Sequence, residues 1–248
     1  MWCHPRSMST ATERIMRERG DLAVFHEPFM HYYYRTKGYH RMPHFNYDPS
    51  HPAEPSEIVK MLWRKSEHAP VFAKDMSYYV LSLLQEQPHL CNNAKHFFLV
   101  RNPKRAIMSY HKLDPDVTTE EVGLNAQWQH YQYLKKRLPR APMVIRAEDI
   151  QRSPVNEMQR LWHYLNLPFI EHAFDWSSDD RPGDWKQVEY WHQSARQSSA
   201  ILPNALTDED TDELFAQYAR AHPKVERLYS AHCEAYFALI DQREQGQT

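Results

Sequence analysis

Short apolar runs, each followed by a longer amphipathic stretch, recur along most of the chain. A run of this kind predicts a β-strand, and the stretch after it has the spacing of a helix. Strands that alternate with helices form parallel sheets, so the pattern predicts a three-layer α/β/α fold with a central parallel sheet of about five strands. The predicted strands are Met1–Cys3, Leu22–Phe25, Val71–Ala73, His96–Val100 and Met143–Arg146.

Capping residues indicate where three helices begin. In a capping box, a Ser or Thr side chain and an acidic side chain three residues later bond to each other's backbone N–H groups. The helix after the first box is predicted to carry Trp128, Tyr131 and Leu138, with the aromatic rings packing in the core. The predicted starts are Thr118 with Glu121, Thr207 with Asp210, and Ser153 followed by Pro154.

The segment from Pro28 to Pro55 is rich in aromatic residues, histidine and proline but shows no sustained period. We therefore predict a long loop, and loops of this length are usually functional or disordered. Its tyrosines offer a lid or an aromatic cage for a cation, but an ordinary aromatic surface loop is the favoured interpretation. These tyrosines are Tyr32, Tyr33, Tyr34, Tyr39 and Tyr47.

Length and charge restrict the class of protein. The 248 residues fit one α/β domain spanning 1–248, and no repeat or low-complexity linker marks a boundary. A formal net charge of -2 gives no general positive field for nucleic acid. Apolar runs such as Phe97–Val100 are far shorter than the ~18 residues of a membrane-spanning helix, so no membrane partner is predicted. The start, MWCHPRS, lacks the features of a secretory signal, which favours a cytoplasmic location.

Cysteine and histidine give no sign of a metal site. Cys3, Cys91 and Cys233 are widely spaced and include no CxxC pair, so we expect reduced thiols packed as small hydrophobic side chains. The 16 histidines show no HExxH or similar ligand spacing. No metal is predicted.

The first candidate site is CHPRSMST (3–10), which leads directly into a helical stretch. A strand, a tight loop and a helix N-terminus bind anions because the first N–H groups of the helix lack internal partners. Arg6 adds a positive charge. The hydroxyls of Ser7, Ser9 and Thr10 can donate further hydrogen bonds. Taken alone, the segment favours the alternative, an ordinary N-cap at Ser7 or Ser9 beside a surface arginine. The segment is not a Walker A loop, because it has no glycine and its basic residue precedes the hydroxyls.

The second candidate site is RNPKRAIMSYHKL, which follows the strand that ends at Val100. Arg101 stands at the carboxyl end of this strand, where ligands bind in open α/β sheets. On the helix that follows, Arg105 and Ser109 lie four residues apart on one face. Because basic residues at a helix N-terminus oppose the helix dipole, a bound anion would stabilise them. We expect Arg101 and Ser109 to hold one phosphate from two sides.

These segments resemble the sulfotransferase family. CHPRSMST looks like its 5′-phosphosulfate loop, and FFLVRNPKRAIMSY is similar to its 3′-phosphate motif. IRAEDIQRSPVNEMQRLWHYLNLPF (145–169) is similar to a further family segment, and VFHEPF and FAKDM also resemble bacterial members. The resemblance covers roughly residues 1–170, in the family's order. It implies a P-loop-like fold and 3′-phosphoadenosine 5′-phosphosulfate (PAPS) as co-substrate.

The resemblance also implies roles for particular residues. Arg101 and Ser109 fall on the two positions that bind the ribose 3′-phosphate in the family. The loop residues fall on the positions that hold the 5′-phosphosulfate, and these are Arg6, Ser7, Met8, Ser9 and Thr10.

The chain departs from the common cytosolic pattern at several positions. Arg6 stands where that pattern has Lys, Met8 where it has Gly, and Ala11 where it has an adenine-stacking Trp. GDWK (183–186) resembles a C-terminal cofactor segment, but the Arg-Lys-Gly that normally precedes it is absent. Arg181 is predicted as the cofactor contact in its place.

Sulfuryl transfer requires positioning and cancellation of charge, with little covalent work for the protein. We predict that Arg6 stabilises the bridging oxygen without Mg²⁺. In some sulfotransferases a glutamate directly after the second strand is the general base, which makes Glu27 the predicted base, with Lys74 as a secondary charge stabiliser. The alternative is a structural role for Glu27, as a cap or as the partner of an arginine. The sequence favours neither role over the other.

The predicted activity is transfer of a sulfuryl group from PAPS to a hydroxyl or amine of a small-molecule acceptor. Two alternatives stay open. A P-loop kinase would use Asp75, at the end of VFAKD (71–75), to bind magnesium, and a non-catalytic module would bind the nucleotide without turnover. The acceptor's identity and the oligomeric state are not predicted.

Overall fold

A five-stranded sheet forms the centre of the molecule, with strand order β2-β3-β1-β4-β5 and every neighbouring pair parallel. The computed structural model describes residues 1–42, 45, 48–86, 94–176, 183–192, 198–201 and 207–245. The predicted α/β fold with a central parallel sheet of five strands is confirmed. The strands are β1 (Trp2–Cys3), β2 (Ala23–His26), β3 (Val71–Met76), β4 (Phe97–Val100) and β5 (Met143–Arg146).

Helices connect the strands and cover the sheet. Short 3₁₀ segments lie at Tyr39–Arg41, Glu171–Phe174 and Gly183–His192. The α-helices are α1 (Ser9–Glu18), α2 (Met30–Lys37), α3 (Pro55–Ser66), α4 (Ser77–Glu86), α5 (Pro103–His111), α6 (Thr119–Val122), α7 (Leu124–Lys135), α8 (Ala147–Arg152), α9 (Pro154–Leu165), α10 (Asp208–Ala221) and α11 (Pro223–Gln245).

The position of β1 explains where a ligand site forms. β1 has only two residues but lies in the middle of the sheet, with Cys3 beside Met76 of β3 and Leu99 of β4. The chain passes from β1 to β2 on one side and later crosses to β4 on the other, so the strand order reverses here. Ligands bind at the carboxyl ends of strands at such a point. The segments after β1, β2, β3 and β4 therefore meet at one edge.

The prediction of a loop over Pro28–Pro55 is wrong at its start, where α2 forms. Tyr33 and Tyr34 of α2 are buried, and their rings contact Tyr78 and Tyr79 of α4 at centroid separations of 5.0 to 5.7 Å. This packing stabilises a helix whose own sequence shows little period, because tertiary contacts override weak local preference. The prediction for Tyr47 and for the Tyr39 side chain lies outside the described residues.

The predicted helix after Thr118 is two helices. Its capping box is present, with Thr118 N–H donating to Glu121 Oε2 at 2.8 Å. Gly123, at φ 79°, ends α6, and α7 begins at the next residue and stops before Leu138. A Cβ on Gly123 would lie 3.0 Å from Cδ1 of Tyr78. Close packing against Tyr78 and a left-handed backbone therefore require glycine at this position.

The other predicted helix starts are confirmed, with one difference. Thr207 and Asp210 form a complete capping box at the start of α10. Pro154 opens α9, but the Ser153 side chain makes no capping hydrogen bond. Within the part of the chain that is described, no helix is both long and apolar enough to cross a bilayer.

Candidate active site

A cavity of about 400 Å³ opens at the carboxyl edge of the sheet. This volume lies within the ~300–1,000 Å³ usual for small-molecule sites. Its walls come from the loop after β1, from the ends of β2 to β4, from α5 and from the C-terminal part of the chain. It brings together most of the predicted site residues, namely Arg6, Met8, Ser9, Thr10, Glu27, Lys74, Arg101 and Ser109.

The loop between β1 and α1 has an unusual backbone. Arg6 and Met8 both adopt left-handed conformations, at φ 61° and 66°, and Met8 is the N-cap of α1. Successive N–H groups in such a turn point to one side and form a concave anion-binding surface. Met8 thus takes, at some strain, the conformation that glycine adopts freely. The Ser7 side chain differs from the prediction, because it is fully buried and does not line the cavity.

The two predicted anion-binding motifs contact each other directly. Arg6 Nε donates to Ser109 Oγ at 2.9 Å, and Arg101 Nη1 donates to the carbonyl oxygen of Arg6 at 2.9 Å. The backbone N–H of Arg101 also donates to His4 Nε2 at 3.1 Å, which ties the end of β4 to the loop. A single small anion or one nucleotide can therefore contact both motifs.

Positive charge is concentrated at this edge. Burial and the neighbouring Arg101 guanidinium lower the pKa of Arg6 to about 10, so Arg6 stays a cation at neutral pH. Burial, with Arg105 adding to it, also lowers the pKa of Arg101. Arg105 itself does not reach the cavity, because it donates to Thr211 Oγ1 at 2.8 Å and packs against α10. Two crowded cations beside a helix N-terminus make a binding site for anions.

Glu27 and Lys74 form a buried ion pair that also lines the cavity. Lys74 Nζ donates to Glu27 Oε1, and Tyr79 Oη donates to Glu27 Oε2 at 3.1 Å. Burial alone would raise the pKa of Glu27, but Lys74 and the other neighbours lower it. Burial alone would lower the pKa of Lys74, but the Glu27 carboxylate raises it. Glu27 therefore pairs with a lysine, not an arginine, and faces the cavity as a carboxylate.

A second buried pair, whose members are not among the predicted site residues, lies next to Glu27. His26 Nδ1 lies 2.6 Å from Glu13 Oε2, and Glu13 Oε1 accepts from Arg17 Nε at 2.8 Å and from Trp185 Nε1 at 2.9 Å. Burial alone would raise the pKa of Glu13, but His26 and then the nearby cations lower it. The only signal in the sequence was the four-residue spacing of Glu13 and Arg17 in a helix.

Asp75 does not lie at the cavity. Its carboxylate accepts from the backbone N–H groups of Phe29 at 2.9 Å and Met76 at 3.0 Å. Burial raises the pKa of Asp75 well above its ordinary value, which disfavours the ionised form that a magnesium ligand requires. Among the described residues, no group of three or more His, Cys, Asp or Glu side chains is arranged to hold a metal ion.

The C-terminal part of the chain closes the cavity. The carbonyl oxygen of Trp191 accepts from Arg6 Nη1 at 2.7 Å, and the Trp191 ring meets Tyr110 edge-on at 5.3 Å. Trp176 Nε1 and Gln151 Oε1 belong to residues that line the cavity, and both atoms are buried without a hydrogen-bond partner. Arg181, the predicted cofactor contact in this region, lies outside the described residues.

Comparison with known proteins identifies the family. The family model described as a sulfotransferase domain matches residues 1–222, which is most of the chain. This chain therefore belongs to the sulfotransferase domain family, as its motifs predict.

Two solved structures are similar in fold. The sulfotransferase domain from the curacin biosynthetic pathway is 20% identical and has a TM-score of 0.50, covering 92% of this chain and 95% of that one. The sulfotransferase domain from the olefin synthase of Synechococcus PCC 7002 is 16% identical and also has a TM-score of 0.50. That match covers 88% of this chain and 92% of the other one. At such identities the likeness concerns the fold alone.

Two curated relatives from Arabidopsis thaliana carry a different kind of name. Branched-chain-amino-acid aminotransferase-like proteins 2 and 1 are each 26% identical over 201 residues, or 81% of this chain. The match covers 35% and 36% of those proteins, so the chain spans about a third of their length. Their names describe whole proteins that extend well beyond the matched region.

Proposed function

We propose that this protein transfers a sulfuryl group from PAPS to a hydroxyl or amine of a small-molecule acceptor, releasing adenosine 3′,5′-bisphosphate. One observation carries the proposal: Arg6 and Arg101, from the two anion motifs, are in direct contact at one cavity. PAPS has two anionic groups a short distance apart on one nucleotide. We propose one catalytic domain over residues 1–248.

In this proposal each of the two motifs binds one of the two anionic groups of the donor. Arg101 and Ser109 hold the 3′-phosphate. The left-handed loop amides, Arg6 and the hydroxyls of Ser9 and Thr10 hold the 5′-phosphosulfate. Hydrogen bonds from these groups to charged oxygens are each worth about 1.5–3 kcal/mol.

The adenine base has a matching set of groups. Adenine carries an amino donor and ring-nitrogen acceptors. Gln151 Oε1 is an unpaired acceptor and Trp176 Nε1 an unpaired donor among the residues that line the cavity. Ala11, in the first turn of α1, leaves the space where the common family pattern has a tryptophan. We propose that Gln151 and Trp176 contact the base instead.

Glu27 acts as the general base in the transfer. The acceptor oxygen or nitrogen forms a bond to sulfur, its proton passes to a Glu27 oxygen, and the bond between sulfur and the bridging phosphate oxygen breaks. Arg6 stabilises the negative charge that develops on the bridging oxygen, and Lys74 stabilises charge on the sulfuryl oxygens. A sulfuryl group carries less charge than a phosphoryl group, so these two cations meet the demand and no metal ion is required.

Isothermal titration and a radiolabelled sulfate assay test the proposal together. We expect adenosine 3′,5′-bisphosphate to bind in the presence of EDTA, and labelled sulfate to pass from PAPS to members of a panel of small alcohols, phenols and amines. Binding of ATP only with Mg²⁺, followed by phosphate transfer, would instead indicate a kinase. Tight binding of the bisphosphate without turnover on any acceptor would indicate a non-catalytic module.

A further inference from the structure

Two buried ionisable side chains behind Glu27 have no part in the transfer described above. Glu13 and His26 are buried, and neither lines the cavity. Burying charged groups costs free energy unless they are paired. Here they form a chain that runs from α1 through His26 to the carboxylate of Glu27.

The geometry of the chain fixes the orientation of the imidazole. Glu13 Oε2 lies 2.6 Å from His26 Nδ1. Glu13 is itself held by Arg17 and by the indole N–H of Trp185, whose ring lies edge-on to His26 at 6.2 Å. With Nδ1 directed to Glu13, the opposite nitrogen, Nε2, lies 3.6 Å from Glu27 Oε1.

We propose that Glu13 and His26 are positioning residues that set the base strength of Glu27 and hold its carboxylate in place. Glu13 orients the imidazole so that its Nε2 faces Glu27 Oε1, which Lys74 also contacts. The His26 side chain lowers the pKa of Glu27, in the same direction as Lys74 does. This inference rests on the proposed role of Glu27 as the base. The backbone of Glu27 is strained, at φ 45°. Strain of this kind persists only where surrounding groups determine the conformation.

The other groups facing Glu27 do not act as switches near neutral pH. Burial raises the pKa of Cys3 to about 12. Burial also raises the pKa of Tyr79 well above its ordinary value, and that of Tyr34, so all three stay neutral. Lys74 stays charged, and Asp75, held by backbone N–H groups, is unchanged in every variant below.

The consequence is a pH dependence with a defined sign. An imidazolium beside a carboxylate lowers the pKa of the carboxylate, typically by about 1–3 units when the charges lie within ~4–6 Å. The His26 side chain is one of the groups that lower the pKa of Glu27. Its loss raises that pKa, so Glu27 is protonated at higher pH. The acid limb of the kcat/KM profile should therefore move to higher pH by about 1 unit in His26→Gln. Glu13→Gln should move it in the same direction, because the imidazole loses the carboxylate that orients it toward Glu27.

Two measurements test the inference. The first is the pH profile of kcat/KM for wild type, His26→Gln and Glu13→Gln, with His163→Gln, an exposed histidine on α9, as the matched control. The second is a ¹⁵N NMR spectrum of histidine-labelled protein at one fixed pH, in which the His26 signals are assigned by their loss in His26→Gln. We expect the Nδ1 signal to shift in Glu13→Gln, because Nδ1 loses its carboxylate partner, and to stay unchanged in His163→Gln.

The outcomes separate this inference from the proposed function. A purely structural role would lower the rate at every pH and leave the acid limb where it is, which overturns the inference. An unchanged His26 Nδ1 signal in Glu13→Gln overturns it as well. If Glu13→Gln does not fold, Trp185→Phe replaces it. The indole N–H of Trp185 donates to Glu13, so its removal changes the carboxylate that orients His26 and should also shift the Nδ1 signal. Absence of any sulfuryl transfer overturns the proposed function, whereas the NMR arm still reports on the pair.

Discussion

At the scale of single residues, backbone strain is concentrated at the cavity. Arg6, Met8 and Glu27 all have positive φ angles of 45° to 66° although none is glycine. Each such conformation costs about 1–3 kcal/mol and survives only where the surrounding structure determines it. All three residues were predicted from the sequence to belong to the site. The strain therefore lies at residues whose orientation the proposed reaction depends on.

Replacement of Arg6 tests charge stabilisation at the bridging oxygen. We expect Arg6→Ala to lower kcat by about 10²–10³, the usual effect of losing one such donor. Arg6→Lys, which restores the charge but not the fork that reaches Ser109 and Trp191, should recover part of the rate. Steady-state rates with labelled PAPS measure both, with Arg64→Ala on the exposed face of α3 as control. A near-normal kcat in Arg6→Ala would contradict the role.

The Glu27–Lys74 pair separates a catalytic from a structural contribution. Glu27→Gln leaves Lys74 as an uncompensated buried charge, so the free energy of unfolding should fall by about 3–5 kcal/mol. The double variant Glu27→Gln/Lys74→Met removes both charges and should recover most of that loss, because a buried pair is often replaceable by apolar groups.

Urea unfolding followed by circular dichroism measures the two stabilities, and labelled transfer measures the rates. Both variants should have little sulfotransferase activity, although the double variant is stable. A double variant that turns over at the wild-type rate would exclude Glu27 as the base.

At the scale of secondary-structure elements, local signals identified the strands and missed two features of the helices. The four-residue runs of β4 and β5 are almost purely apolar or β-branched, so their prediction needs no tertiary information. α2 has no clear period and forms because Tyr33 and Tyr34 pack on α4. The break at Gly123 follows from the approach of Tyr78, forty-five residues away in the chain, which no local pattern reveals.

Gly123→Ala tests the cause of that break. The added Cβ meets Tyr78 at 3.0 Å in a left-handed conformation, so the free energy of unfolding should fall by about 2–4 kcal/mol. Gly20→Ala is the matched control, because Gly20 has φ 75° and no atom within 4 Å of the added Cβ. The free energy of unfolding of Gly20→Ala should fall by only about 1–2 kcal/mol. Equal losses in urea unfolding would show that backbone strain alone requires glycine at position 123.

At the scale of the whole molecule, the sheet order brings together residues that lie far apart in sequence. The motifs around Arg6 and Arg101 could be predicted from the sequence because each is a contiguous segment. The sequence did not predict that Glu13 pairs with His26, or that the Arg6 side chain binds the Trp191 carbonyl. Contacts between such positions depend on how helices and loops pack around β1, which short-range patterns do not encode.

Donor binding should stabilise the folded molecule as a whole. At a concentration of adenosine 3′,5′-bisphosphate 100 times its Kd, linkage predicts that the free energy of unfolding rises by about 2.7 kcal/mol. For a protein of this size that corresponds to a rise in Tm of about 5–11 °C. Adenosine 5′-monophosphate, which lacks the 3′-phosphate, should give a smaller rise in differential scanning fluorimetry. Arg101→Ala should reduce the difference in Tm between the two ligands. An unchanged difference would contradict the proposal that Arg101 binds the 3′-phosphate.

The contact between Arg6 and Trp191 gives the molecule a built-in optical reporter. The guanidinium that we propose contacts the donor also donates to the backbone carbonyl of Trp191, whose indole packs edge-on against Tyr110. If the guanidinium turns toward a bound phosphosulfate, we expect the surroundings of that indole, and hence its emission, to change. Occupancy can then be followed in stopped flow with unlabelled protein, before any acceptor is known.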